Sequence, residues 1–368
     1  MRRRQTTLSA TLWMAGTALL GSASLDAQPL QAAANLQHPA SATWTSPPAR
    51  PLPIPAAWKG LIGEFGQRSN LQNVLENNGK LYVLAGQIES GPLEQVSLNV
   101  FRFPATGLYR GETAAFTPDS SGMATAVKIG GVVFPRLPSK AEEKVFKTAA
   151  AQHVAELRRE ALAAHPPVET GKFLAPDLVN VTTYDPTIKL DIRYATSRNF
   201  MGAPLYREPR AFLERPAAEA MARVSKKLRP FGYGLLIHDA YRPWYVTKMF
   251  WDATPDNKKI FVANPAEGSR HNRGCAVDVT LYNLETGKPV EMTGSYDETS
   301  ERSYASYPGG TSLERWRRNL LRDAMESEGF TVYPYEWWHF DYQNWQKYPI
   351  LNLTFEQLDR ARTSAPRS

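Results

Sequence analysis

The chain has 368 residues, 42% of them hydrophobic, with 28 prolines and a formal net charge of +7. That length exceeds one average domain and the apolar content is that of a globular protein, which excludes a wholly disordered chain. The basic residues are spread out rather than gathered in blocks, which argues against a nucleic-acid partner, and the single cysteine, Cys275, excludes an intramolecular disulfide.

Residues 1–27 read as an export signal. Arg2, Arg3 and Arg4 open it, Leu8 to Leu20 form a short apolar run, and small residues follow with a cut expected after Ala23 or Ala27. The run is too short to span a bilayer comfortably, so no integral membrane segment is expected in the mature chain, which is placed in the periplasm or outside the cell. Residues 28–58, rich in Pro, Ala and Ser, read as an extended tether.

Residues 59–137 read as a small all-β domain. Val74 to Val83 predict a hairpin turning at Asn77-Asn78-Gly79, Val96, Leu98 and Val100 alternate with polar residues, and Pro118 to Gly122 mark a further turn. The segment, led by Gly63-Glu64-Phe65-Gly66, resembles the small β accessory domain appended to some serine β-lactamase-like proteins, and packing or binding is its expected role. Residues 138–172 read as a helix and linker. Ser139-Lys140-Ala141-Glu142 is a capping-box pattern, apolar residues recur at helical spacing to about Ala164, and His165-Pro166-Pro167 stops the helix.

Residues 173–361 alternate strands with helices. Strands are expected at 188–194, 234–239, 276–282 and 330–333, and helices at 216–229, opened by Pro216, and at 313–327, ended at Gly329. Without a regular βαβ count, this predicts an α+β domain with a mixed or antiparallel sheet flanked by helices.

The chemistry gathers in two stretches. Gly268 to Asp278 places His271 ahead of a glycine bend at Gly274 and Asp278 within an apolar strand; Tyr335 to His339 places Glu336 and His339 among aromatics. On straight strands each pair would face opposite ways, so a bend is required in both places. Taken singly, Asp278 reads as a turn cap, His271 as a surface residue and His339 as a satisfied core histidine. Together, two imidazoles and a carboxylate are a set that zinc accepts with one position open for water, and a second carboxylate is what a hydrolase needs to take that water's proton. Cys275, between two of these residues, reads as a small apolar filler, and His238 as structural.

Ser269-x-His271-x-x-Gly274-x-Ala276-x-Asp278 with Glu336-x-x-His339 resembles the signature of the zinc peptidase superfamily that includes lysostaphin-type peptidases, D-alanyl-D-alanine metallopeptidases and the hedgehog signalling domain. Asp191-Ile192-Arg193-Tyr194-Ala195-Thr196, Asn199-Phe200-x-Gly202 and Asp239-Ala240-Tyr241-Arg242-Pro243 make the chain similar to the D-alanyl-D-alanine dipeptidases within it, over roughly residues 175–350. The resemblance implies one zinc ion on His271, Asp278 and His339, Glu336 as general base, and Arg242 beside the oxyanion with Asp239 orienting it. It further implies that Asp297 binds the substrate ammonium, helped by Tyr194, and that Ser269 lies near the substrate carboxylate. Arg302 and Tyr304 would line the same lid. Thr293-Gly294 departs from the family's Gly-Thr or Gly-Ser. The implied function is hydrolysis of the D-alanyl-D-alanine dipeptide in peptidoglycan turnover or recycling, with peptidoglycan contact. Two alternatives stand beside it: a D,D-carboxypeptidase acting on peptidoglycan stem peptides, and a non-catalytic, zinc-stabilised wall-binding module.

Overall fold

The computed structural model describes Trp44, residues 47–138 and residues 149–364. The expected export signal, most of the expected tether and the capping-box pattern Ser139 to Glu142 lie outside the described residues. Those that are described belong to one compact unit.

Two small antiparallel sheets come first. Gly63–Gln67 (β1), Asn70–Asn77 (β2), Lys80–Ala85 (β3) and Ile88–Glu89 (β4) pair in chain order. Glu94–Ser97 (β5), Val100–Arg102 (β6), Thr113–Pro118 (β7), Ala124–Ile129 (β8) and Val132–Pro135 (β9) do the same. The β2–β3 turn is closed by Asn78 and Gly79 at φ 49° and 77°, the two left-handed residues that a two-residue hairpin loop requires. Val96, Leu98 and Val100 do not form one strand. Ser97 pairs with Val100 across a tight turn, and Leu98 is exposed at its tip, so an apolar alternation that runs through a hairpin imitates a continuous strand. The shared core of the two sheets is aromatic, with Phe65 and Phe101 each meeting Phe116 edge-on at 6.0 and 5.9 Å.

The expected helix before the second half is described only from a 3₁₀ turn at Ala149–Gln152 into Val154–Ala163 (α1). Leu178–Asn180 (β10) and Lys189–Leu190 (β11) follow, then Phe212–Glu214 (β12), which pairs with β10. The strand expected over 188–194 is confined to β11. At Arg193–Ala195 the chain winds into a 3₁₀ turn, because the Asp191 carboxylate draws Arg193 and Arg198 back onto itself at 2.9 and 2.6 Å.

Arg215–Leu228 (α2), with Pro216 in its first turn, buries Ala217, Met221, Val224 and Leu228 on one face. Tyr233–Asp239 (β13), Trp244–Ala253 (α3) and Ala276–Asn283 (β14) come next, then Ser312–Glu326 (α4), Phe330–Tyr333 (β15), Glu336–Tyr342 (β16) and Phe355–Ser364 (α5). The main sheet runs β11-β13-β14-β16-β15. β11 is parallel to β13 and the other pairs are antiparallel, so the sheet is mixed. β13 and β14 are buried over almost their whole length, which is why they read as apolar runs rather than as alternation. Helix α4 begins with a complete capping box between Thr311 and Glu314. No helix among the described residues is long and apolar enough to cross a membrane.

Candidate active site

The site is built on one rung of the main sheet. Asp239 of β13 stands opposite Asp278 of β14, which stands opposite His339 of β16. Two irregularities make that rung. In β13 the register shifts between Ile237 and Asp239, so His238 is an extra residue. In β16 the pairing with β15 jumps from Phe340 to Glu336, leaving Trp337, Trp338 and His339 as an excursion. This is the bend that the Glu336-x-x-His339 spacing demands, and it brings Glu336 Oε2 to 3.8 Å from His339 Nδ1.

His271 arrives on a 3₁₀ turn, Arg270–Arg273, ended by Gly274 at φ 63°. A Cβ at Gly274 would strike the Leu178 side chain, so glycine is required there for close packing as well as for backbone conformation. Ser269 Oγ accepts the His271 N–H at 3.3 Å, and Asn272 Oδ1 accepts the Ser269 N–H at 2.7 Å. Ser269 is therefore the cap of the His271 turn, its hydroxyl oxygen acting as acceptor. Asn272 Nδ2 also donates to the Arg242 carbonyl at 2.8 Å, lacing this turn to the segment after β13.

The donor set tests whether a cation belongs here. His271 Nδ1 lies 2.7 Å from the Ala240 carbonyl and so donates its proton there, leaving Nε2 as a bare lone pair. His339 Nε2 lies 3.0 Å from Asp341 Oδ1, a donation that leaves Nδ1 bare. These two nitrogens face each other at 3.2 Å, and Asp278 Oδ1 stands 3.4 and 3.1 Å from them. With both rings neutral, three acceptors converge with no donor between them, an arrangement that a metal ion satisfies. The electrostatics show the same demand for positive charge: in place of a cation at the cluster, His339 Nδ1 takes up a proton and donates it to Asp278. Burial alone would lower His339, but the carboxylates of Asp341 and Asp278 outweigh it and push the imidazole up to about 10. Burial would likewise raise Asp278, yet His271 and His339 hold it well below the carboxylate range.

Around this cluster stand the other expected residues. Asp239 Oδ2 accepts from Arg242 Nε at 2.9 Å and Nη2 at 2.8 Å, and Asp239 Oδ1 accepts from the Tyr206 hydroxyl at 3.1 Å. The guanidinium also lies over the rings of Phe250 and Tyr194, at 4.8 and 5.4 Å, so its orientation is set by a carboxylate and two aromatic faces. Asp297 takes a left-handed backbone conformation at φ 59°, and its Oδ2 accepts from the Tyr194 hydroxyl at 3.2 Å. Burial, then the charges of Asp278 and Glu336, push the Asp297 carboxyl up to about 8. Burial raises Glu336 too, against the opposing pull of His339. Arg302 pairs with Glu298 at 3.3 Å and Tyr304 packs on Tyr335 at 5.4 Å, in the loop segment that carries Asp297. His238 is buried, with Nδ1 3.3 Å from the Asp191 carbonyl, and burial followed by the charge of Arg193 lowers it to about 4, so the ring is neutral. Cys275 is fully buried and burial raises its thiol, which suits an inert filler.

Two residues go beyond the sequence reading. Asp341, besides taking the His339 proton, accepts from Arg270 Nη1 at 2.7 Å. Its position two residues after His339 on a strand is a signal the sequence does carry, since such residues share a face. Tyr296 donates its hydroxyl to Asp278 Oδ2 at 2.9 Å, with its ring packed against His238 and Trp338 at 4.6 and 5.5 Å. That contact joins residues 18 positions apart across a loop, and no periodicity announces it.

Residues 175–357 match the family model described as D-ala-D-ala dipeptidase. The chain is 34% identical over 175 residues to a D-alanyl-D-alanine dipeptidase of Escherichia coli (strain K12), a match covering 48% of this chain and 89% of that protein. It is 36% identical over 171 residues to one of Enterococcus faecium, covering 42% and 85%. With one of Streptomyces coelicolor it shares 31% identity over 171 residues, again covering 42% and 85%. The matched stretch contains His271, Asp278, His339 and every carboxylate described above, and the chain belongs to the D-Ala-D-Ala dipeptidase family of peptidases.

Proposed function

We propose that this chain is a zinc-dependent dipeptidase that hydrolyses D-alanyl-D-alanine. The observation that carries the reading is the meeting of His271 Nε2, Asp278 Oδ1 and His339 Nδ1 as possible ligand atoms, all within 4.8 Å of one another, with the Glu336 carboxylate beside them. Two imidazoles and a carboxylate suit zinc and leave a coordination position open. The chemistry supplied by such an ion is polarisation of the scissile carbonyl and a lowered pKa for a water molecule. Glu336 accepts the proton of the attacking water, a task for which its raised pKa fits it, and returns that proton to the leaving amine. Arg242, held by Asp239, presents fixed positive charge to the carbonyl oxygen as it becomes negative.

Asp297 selects the substrate. Its carboxyl is lifted by burial and by two neighbouring carboxylates, so an ammonium is the partner it lacks. An internal amide brings no positive charge to ionise this carboxyl and so forgoes the ion pair that a free ammonium makes, which disfavours longer peptides. Tyr194 steadies Asp297, and the Ser269 hydroxyl proton is available to the carboxylate end. The shared name of the relatives supports D-alanyl-D-alanine as that dipeptide. The Arg-rich and then apolar stretch at residues 1–27 supports an exported enzyme that recycles wall-derived dipeptide.

The test is amine release from free D-Ala-D-Ala and from an N-acetylated D-Ala-D-Ala peptide, with zinc, for the protein and for Glu336→Ala. Turnover of the free dipeptide alone, lost in Glu336→Ala, is expected. Cutting of the blocked peptide would make the protein a carboxypeptidase. Zinc binding without turnover of either would make it a binding module.

A further inference from the structure

The family match begins at residue 175, and residues 63–135 lie outside it. Those residues nevertheless make specific buried contacts with the loop that carries Asp297. The loop runs from β14 to α4 and has two halves. Its inner half is closed on itself around Glu298, next to Asp297. Glu298 Oε2 accepts the Ser295 N–H at 2.8 Å and Oε1 accepts the Ser300 hydroxyl at 2.5 Å. Gly294 packs so closely that a Cβ there would stand 2.5 Å from the Arg302 carbonyl oxygen. The inner half is thus tied together through side chain and backbone.

Its outer half is bonded to β1 and β2. The Tyr307 hydroxyl donates to Glu64 Oε1 at 2.8 Å and accepts from Asn73 Nδ2 at 3.1 Å. The Glu76 N–H donates to the Gly310 carbonyl at 3.1 Å. The Glu76 carboxylate accepts the Ser312 N–H, the first of α4, at 2.7 Å, where the helix dipole favours an anion. Glu64, Asn73 and Glu76 are 9%, 4% and 1% exposed, and Tyr307 is 3% exposed. A β segment with an apolar core of its own gains nothing by burying two carboxylates and an amide unless partners meet them. Here the loop supplies partners.

We propose that residues 63–135 are a positioning module for this loop: by holding Tyr307 and Gly310 they fix residues 292–311, and so set Asp297 where the substrate ammonium arrives. The inference rests on the reading of Asp297 given above. Tyr307 is then a positioning residue, acting through the backbone that joins it to Asp297.

The test uses the full chain, zinc-loaded, as Tyr307→Phe and separately as Glu76→Gln. Two quantities are measured: amide hydrogen exchange across residues 292–306, and KM and kcat for D-Ala-D-Ala. Both variants are expected to lose protection in that segment while β13 and β14 keep theirs. KM is expected to rise about fivefold, the equivalent of about one buried hydrogen bond, with kcat within about twofold and zinc content unchanged. Unchanged exchange in both variants, or faster exchange with KM unmoved, overturns the proposal. Asp297→Asn is run alongside. An unchanged KM in that variant overturns the ammonium reading instead, and the exchange result, which does not depend on it, tells the two failures apart.

Discussion

The rung of Asp239, Asp278 and His339 and the loop of Asp297 lie side by side on different foundations. Asp239, Asp278 and His339 are consecutive across three paired strands, so their separations follow from strand spacing and register. Asp297 has no strand beneath it. It sits at a left-handed φ in a loop held by Glu298 from within and by Glu64, Asn73 and Glu76 from outside. The contrast teaches where tolerance lies. Moving a rung residue means slipping a strand, which turns every side chain to the other face; moving Asp297 requires that loop contacts rearrange, among them the packing of Tyr296 on His238 and Trp338. On the function proposed above, chemistry is placed on the stiffer part and choice of substrate on the more adjustable one.

Four substitutions test this division, in falling order of effect. Glu336→Gln should lower kcat by about 10³-fold with zinc content unchanged; turnover within tenfold of the unaltered protein would remove Glu336 as the base. Asp297→Asn should raise KM by about 10- to 100-fold, the worth of a charge-assisted contact, and narrow the preference for free over N-acetylated peptide. Steady-state kinetics on both peptides decide it, and a fall confined to kcat would place Asp297 with the chemistry instead. Tyr296→Phe deletes only the hydroxyl that meets Asp278 Oδ2. It should weaken zinc binding by about tenfold, read by chelator competition, because outer partners orient the ligand; an unaltered affinity would show that the rung needs no help from the loop.

The fourth substitution should leave activity least changed and acts on stability instead, at the floor under the His271 turn. The Glu214 N–H donates to the Gly274 carbonyl at 2.8 Å, and its carboxylate Oε2 accepts the Asp177 N–H at 2.8 Å while Oε1 has no partner among the described residues. Burial lifts this carboxyl from 4.5 to about 7. The folded protein therefore holds the proton more tightly than the unfolded chain. This contribution to stability is complete below pH 4.5, falls as pH rises to about 7, and stays lost above that. Glu214→Gln should remove the loss, giving a gain on the order of 2 kcal/mol at pH 8 and little difference near pH 4.5. Denaturant unfolding at the two pH values checks it; equal differences at both would mean that the carboxyl does not titrate as described.

What was legible in the sequence divides along the same line. The buried strands around Asp239 and Asp278, the glycine bend before Asp278 and the need for a kink before His339 could all be read, because period and glycine chemistry are local. Asp341 was within reach by the same period. Tyr296 was not, since its bond to Asp278 depends on how a long loop returns to the sheet. The strand expected over 188–194 failed for a related reason: apolar residues at Ile188, Leu190 and Ile192 fit a strand, while the Asp191 carboxylate with Arg193 and Arg198 wound the chain into a turn. Ser312 meets Glu76 across 236 positions, and Tyr307 meets Glu64 across 243. Pairings at that distance leave no mark in any local window.

The excursion in β16 has a mechanical side. Val332 pairs with Phe340 and the next residue, Tyr333, with Glu336, so the intervening peptide units are arched between two fixed ends. Trp337 and Trp338, at 3% and 2% exposure, wedge the arch into the core. Glu336 stands at one foot of this short arch and His339 one residue inside the other, at Phe340. One wedged piece of backbone therefore fixes the span between them, and on the function proposed above that span is the one between proton acceptor and metal ligand.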